Sequence, residues 1–269
     1  MTSPDLLREV GSTLVAEVVA PTDFVLAIAV AADVPATAES LRVSLDGREV
    51  EVRERQDRHG TRLHLFTTPA GILTIEYAAT VSGRAAPARV TEGDLVTYLR
   101  PSRYVQSDTL TPFARATFPG LGGSELVVAV EEWVHGALTY SSAHTSPVGG
   151  AVETLEAGAG VCRDFANVTA ALLRALDVPA RLVSVYAPEL EPRDFHAVVE
   201  AQVDDRWIVV DATRLAPRSG LVRIATGRDS ADTAFLTNTR ADIELVSLDV
   251  RALGPRLPDE RPGEQIVLG

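Results

Sequence analysis

The 269-residue chain contains a single cysteine, Cys162, which follows Gly158-Ala159-Gly160 at the predicted start of a helix. A helix N-terminus presents unpaired N–H groups and about half a positive charge. Both stabilise a thiolate, the nucleophilic form of the side chain. The glycines let backbone or substrate approach closely. A solitary cysteine is also commonly a buried, inert side chain, so this segment alone leaves both readings open.

A second segment adds a base. Residues 195–203 (FHAVVEAQV) and 206–211 (RWIVVD) read as antiparallel strands joined around Asp204-Asp205. A two-residue loop pairs Val203 with Arg206, which sets Val198 opposite Asp211 and His196 opposite Thr213. His196 and Asp211 then share a sheet face as diagonal neighbours, with Cβ atoms ~7 Å apart or less. That is within reach of an imidazole–carboxylate hydrogen bond. A carboxylate on one ring nitrogen fixes the tautomer, and the other nitrogen can take or hold a thiol proton. Cys162, His196 and Asp211 in these roles make a nucleophile, a base and an orienter. To bring Cys162 to the imidazole, the helix beginning near Val161 is expected to pack on the His196 face. The competing reading is a satisfied, half-buried histidine beside a surface aspartate.

Three motifs carry a resemblance: Gly158-Ala159-Gly160-Val161-Cys162-Arg163-Asp164-Phe165-Ala166, then Asp194-Phe195-His196-Ala197, then Asp211-Ala212-Thr213-Arg214-Leu215-Ala216-Pro217-Arg218. Their order and their spacings of 34 and 15 residues resemble the bacterial transglutaminase-like family, within the papain-like cysteine peptidase superfamily. The resemblance covers roughly 97–236. It implies Cys162 as nucleophile, His196 as base and acid, and Asp211 as orienter. It also implies a helix packed on an antiparallel sheet with the nucleophile at the helix N-terminus. Relatives include transglutaminases, peptidases and amide-cleaving enzymes, so the reaction stays open.

Other side chains could contribute to the same site. The Cys162 N–H is one candidate oxyanion donor, and a second could come from the Pro101–Ser107 loop or from Tyr140. Tyr104 and Tyr140 are otherwise expected to serve packing. Trp207 lies on the His196 face and either walls the site or fills the core. Asp164 complements the helix dipole, and Asn167 reads as a local polar contact. His135 and His144 lack metal-ligand spacing, and His59 and His64 are expected on the surface of the first unit. No GxGxxG, P-loop or HExxH motif occurs, so no cofactor and no metal are expected.

The elements that must position these groups follow from periodicity. Residues 1–96 read as a sandwich-like β domain. Leu41, Val43 and Leu45 alternate with polar residues up to an Asp46-Gly47 hairpin turn. Leu73, Ile75, Tyr77, Ala79 and Val81 alternate again. From Ser124, read as an N-cap, a helical stripe runs through Leu126, Val127, Val130, Trp133, Val134, Ala137 and Leu138. The second helix buries Phe165, Val168, Thr169, Leu172, Leu173 and Leu176 and stops before Val178-Pro179. Strands follow at 180–187, 195–203, 206–211 and 242–252. The expected organisation is α+β: a β domain over 1–96, a transglutaminase-like catalytic domain over 97–253, and a loosely ordered tail over 254–269.

Composition sets the outer bounds. Apolar residues at 46% and charged residues at 23% exclude a disordered or fibrous chain. The formal net charge is −12, which repels phosphate and argues against nucleic acid as a partner. All 25 basic residues are Arg. One cysteine excludes an internal disulfide and suits a reducing compartment. The longest apolar run, Phe24 to Ala32, falls short of the ~20 residues of a spanning helix. The segment MTSPDLLREVG has no signal-peptide pattern. The expectation is a cytoplasmic protein with no membrane partner and a peptide or protein substrate. Two functions are carried forward: thiol-based acyl transfer, with hydrolysis favoured over amine transfer, and a non-catalytic protein-binding module on a papain-like scaffold.

Overall fold

The computed structural model describes residues 6–57, 59–146, 148–258, 260–261 and 263–269. Met1–Asp5 of the amino-terminal segment and Pro262 of the tail therefore lie outside the described residues. In chain order the first strands are β1 (Leu7–Val18), β2 (Thr22–Leu26), β3 (Ala36–Leu45), β4 (Arg48–Glu49), β5 (Arg53–Gln56), β6 (Arg62–Thr68) and β7 (Gly71–Ser82). Helices α1 (Glu92–Leu99), α2 (Ser107–Thr117) and α3 (Gly123–Ala137) follow, then β8 (Thr139–Tyr140), α4 (Ala151–Ala157), β9 (Ala159–Gly160) and α5 (Cys162–Ala175). The last strands are β10 (Ala180–Tyr186), β11 (Phe195–Val203), β12 (Arg206–Val210), β13 (Val222–Gly227), β14 (Leu236–Thr239) and β15 (Ile243–Leu253).

Two antiparallel sheets, ordered β15-β1-β7-β3-β4 and β14-β2-β6-β5, form the sandwich. The β3–β4 turn is tight because Asp46 and Gly47 both adopt positive φ, 49° and 75°, the geometry a two-residue hairpin requires. Leu73, Ile75, Tyr77, Ala79 and Val81 of β7 all point inward and are buried, as strand alternation dictates. Beside Phe66 in β6, His64 is only 4% exposed and sits 3.2 Å from Glu54. His59 Nε2 lies 2.6 Å from the Tyr98 hydroxyl. Neither histidine is on the surface as expected, because β6 turns His64 inward and α1 covers His59.

Hydrogen bonding also places the last two strands differently from chain order. β14 pairs with β2 and β15 pairs with β1 along nearly its whole length, from Glu9↔Leu253 to Val18↔Ile243. Segments assigned by sequence order to the second unit thus complete the first one. Pairing across most of the chain leaves no local pattern, whereas the β1 strand itself does. The Val209 N–H donates to the Ile266 carbonyl at 2.7 Å, Glu260 pairs with Arg218 at 2.9 Å, and Leu268 is buried against Val183, Val185 and Leu221. The apolar triplet Ile266-Val267-Leu268 anchors these last described residues on the second unit.

The second unit is built around α5. Every residue from Asp164 to Ala175 is buried, the pattern of a helix enclosed on all sides. It packs against α2, α3 and α4 and against β10 and β11 of a four-stranded antiparallel sheet ordered β12-β11-β10-β13. α3 begins two residues earlier than expected: Gly122, extended at φ −157°, is the N-cap, and its carbonyl accepts from Leu126 N–H. Ser124 lies within the helix. The two units share apolar contacts through Tyr186, Phe195, Val222 and Ile224, which join the core of the sandwich. Phe195, the residue before His196, stacks on Phe235 at 5.1 Å. The sandwich therefore steadies the start of β11.

Candidate active site

The Gly158–Cys162 segment is shaped by close backbone approach. Gly158, at φ 65°, ends α4 in the left-handed conformation. The Thr139 N–H donates to the Gly158 carbonyl and the Ser141 N–H to the Gly160 carbonyl, making the short parallel β8–β9 pair. A Cβ on Gly160 would fall 2.6 Å from Asp164 Cβ, so only glycine leaves room for that side chain. Asp164 uses the room. Its Oδ2 accepts from the Val161 N–H at 2.9 Å and from the Thr145 hydroxyl at 2.6 Å. Arg163 donates to the same Thr145 oxygen at 2.9 Å. This satisfies an otherwise unpaired amide at the helix entry and fixes the turn that presents Cys162.

The β11–β12 hairpin has the register read from the sequence: Val203↔Arg206, Gln202↔Trp207, Ala201↔Ile208, Glu200↔Val209 and Val199↔Val210. Asp204 and Asp205 both take positive φ, 48° and 59°. His196 Nε2 lies 2.7 Å from Asp211 Oδ2, with both side chains almost completely buried. With Nε2 committed to the carboxylate, Nδ1 is the nitrogen left for the thiol. The Cys162 thiol is close enough to His196 to act on its charge, and its Sγ lies 3.9 Å from the Phe195 carbonyl oxygen.

Burial works against the charged imidazole, but the Asp211 charge and hydrogen bond, together with Cys162, raise the His196 pKa well above its ordinary value. Burial also opposes the Asp211 carboxylate. The His196 charge and hydrogen bonds from His196 and Thr213 overcome it and hold the carboxyl below its usual range. The pair is thus set to be imidazolium and carboxylate.

The helix does not lie on the expected face. Val199, Ala201, Val203, Ile208 and Val210 form one core cluster with Phe165, Val168 and Leu172 of α5. These strand residues alternate with His196 and Asp211, whose face instead carries Val198 and Val209, packed on Val183 and Val185. The body of α5 covers one side of the sheet, and its N-terminus meets the imidazole where β11 begins, beside the Phe195 carbonyl. Strand alternation ranks residues by face but carries no information about which face receives the helix.

Tyr140 is the second side chain at the thiol. Its hydroxyl is near enough to Cys162 for the thiol to act on it electrostatically. Its ring leans on Phe165 at 6.0 Å. Burial and the neighbouring Cys162 charge push the phenol up to about 12, so it keeps its proton at neutral pH. The Pro101–Ser107 loop is occupied elsewhere: the Tyr104 N–H donates to Asp229 at 3.1 Å and its carbonyl accepts from Ala151. Asp194 lies at the rim. Burial raises its carboxyl pKa, against the Phe195 N–H bond and the His196 charge.

Trp207 belongs to the core. It is fully buried, edge-on to Tyr98 at 5.8 Å and under the Arg181 guanidinium at 4.1 Å. Arg181 and Arg223 share the buried carboxylate of Glu200 at 2.7 Å each. Asn167 is not a local contact but reaches Ser230, donating through Nδ2 at 3.0 Å and accepting from its N–H at 3.3 Å. His135 Nδ1 lies 2.9 Å from the Ala212 carbonyl, and His144 pairs with Ser141. Among the described residues no group of three or more His, Cys, Asp or Glu side chains is placed to hold a metal ion. Nor is any helix among them long and apolar enough to cross a membrane. Thr145 and Thr213 bear directly on the site and had no role in the sequence reading. For Thr213, the Asp-x-Thr spacing, which suits an Asx turn, was the available signal.

A solved structure from Cytophaga hutchinsonii, named as a "putative cysteine protease", is 32% identical, covers 97% of this chain and 94% of its own, and superposes with a TM-score of 0.85. The core of the transglutaminase-like superfamily matches residues 114–212. The chain belongs to the transglutaminase-like superfamily. An uncharacterized protein of Mycobacterium leprae is 28% identical over 133 residues, which are 46% of this chain. That match spans 47% of the relative's own length, about half of it.

Proposed function

We propose that the chain is a cysteine-dependent acyl-transfer enzyme that hydrolyses a peptide or carboxamide bond in a peptide or protein substrate. The observation that supports the reading is the buried His196 imidazole, held by the Asp211 carboxylate at 2.7 Å and acted on electrostatically by the Cys162 thiol. In this reading the Cys162 thiolate attacks the carbonyl carbon. The developing oxyanion takes the Cys162 N–H, and the Tyr140 hydroxyl donates as the second partner. The His196 imidazolium protonates the departing amine and leaves an acyl-enzyme. The neutral ring then takes a proton from water, which attacks the thioester and frees the thiol. Asp211 holds the ring and stabilises its charged form. Water is the favoured acceptor because Tyr140, beside the thiol, is 46% exposed, and amine transfer needs a site that excludes water.

Labelling with a library of peptidyl and glutamine-like electrophiles, followed by mass-spectrometric mapping, tests this. The expected result is an adduct on Cys162 that is lost in Cys162→Ala and strongly slowed in His196→Ala. Labelling no faster than a free thiol, and indifferent to His196, would support a binding module instead.

A further inference from the structure

The two oxygens of Asp211 have separate partners. Oδ2 faces His196 Nε2 at 2.7 Å. Oδ1 accepts twice from one residue, from the Thr213 N–H at 3.0 Å and from the Thr213 hydroxyl at 2.7 Å. The first of these is an Asx turn, closed by the Arg214 N–H on the Asp211 carbonyl at 3.2 Å with Arg214 at φ 56°. The second has a fixed direction. The Thr213 oxygen accepts from the Leu215 N–H at 3.3 Å. An amide can only donate there, so the hydroxyl hydrogen is left for Asp211. Asp211 and Thr213 are 2% and 8% exposed, so no bulk water competes.

We propose that Thr213 is a positioning residue for the reaction described above: by saturating Oδ1 it presents Oδ2 alone to His196 and so aims Nδ1 at Cys162. This rests on the proposed acyl-transfer reading. The other ionisable groups facing the pair are Glu131 from α3, which feels the Asp211 charge, Asp194 from the segment before β11, and Cys162 from α5. None of them donates to Oδ1. With the hydroxyl removed, the carboxylate keeps one main-chain donor on Oδ1 and gains freedom to rotate about its Cβ–Cγ bond. The imidazole then loses its fixed orientation.

The test needs no substrate. Iodoacetamide alkylation of Cys162 is followed from about pH 5 to 9 in wild type, Thr213→Val and Thr213→Ser, together with the downfield proton resonance of the His196–Asp211 hydrogen bond. Loss of one charge-assisted bond is expected to slow alkylation of Thr213→Val about 10-fold near neutral pH and to shift or broaden that resonance. Thr213→Ser should restore both. If Thr213→Val does not fold, Thr213→Ala against Thr213→Ser decides the same point. A Thr213→Val or Thr213→Ala profile equal to wild type overturns the proposal, as does equal loss in the valine and serine variants, which would mean shape rather than the hydroxyl. Failure of the underlying reading looks different: wild type itself alkylates like a free thiol and His196→Ala changes nothing.

Discussion

The Tyr140 phenol and the Cys162 thiol are electrostatic neighbours: burial and the Cys162 charge together push the phenol up to about 12, so it stays protonated beside the thiol. A protonated phenol in that position can donate to the oxyanion of a tetrahedral intermediate. Tyr140→Phe is therefore expected to lower kcat by about 10²–10³-fold, the range for removing one oxyanion donor. KM should change little. Steady-state kinetics on a substrate found by the labelling screen would check this, and an unchanged kcat would remove Tyr140 from the chemistry.

Asp211→Asn is expected to keep the fold and lose most of the activity, by roughly 10³–10⁴-fold. An amide can still accept through one oxygen, but it carries no charge for the imidazolium. Circular dichroism should match wild type while turnover falls. Equal turnover would exclude Asp211 as the orienter.

His196 is held charged above its ordinary range by Asp211, although burial opposes it. A group with a raised folded pKa contributes stability that is complete below its unfolded value and is lost as pH rises through the folded one. The His196 imidazolium should thus persist through neutrality. Cys162 alkylation is expected to remain fast near pH 6, and His196→Ala should remove that acid-side reactivity. A wild-type profile that rises only above about pH 8, like a model thiol, would contradict it.

Glu200 sets the acid limit of the fold. Full burial favours its neutral form, but the charges and hydrogen bonds of Arg223 and Arg181 hold it down to about 2. A depressed carboxylate contributes stability above its unfolded value of 4.5, and that contribution is lost as pH falls from there toward about 2. Glu200→Gln leaves two guanidinium groups without their anion and should cost about 3–5 kcal/mol at neutral pH. Chemical denaturation across that pH window should show wild type losing stability toward acid and the variant losing much less. Parallel curves would place the acid sensitivity elsewhere.

What could be read in advance divides along the range of the interaction. The β11–β12 register was legible because two left-handed aspartates make a two-residue turn and the apolar pattern admits one pairing. Placing His196 diagonal to Asp211 then required no structure. The face taken by α5 was not legible, since Val199 and Val198 are equally apolar and each could have received the helix. The partners of β14 and β15 and the anchoring of Leu268 were hidden for the same reason: each is decided by a distant surface. Thr213 was hidden differently, because a hydroxyl's direction depends on the Leu215 amide that occupies its other side.

The pairing of β15 with β1 has a consequence for how the chain is made. β1 hydrogen-bonds to β7 on one edge and to β15 on the other, but β15 leaves the ribosome only after the whole of α1 to β13. Through that interval a 12-residue strand stands with one edge open, an invitation to pair with another nascent chain. Closing the sandwich late means paying loop entropy over most of the polypeptide, a slow step by the usual dependence on contact separation. Folding of the intervening α5 unit shortens that loop to two nearby ends. Translation order thus makes the α5 unit the clamp that lets the sandwich finish, and a chain halted after Gly227 should be prone to aggregate through the bare edge of β1.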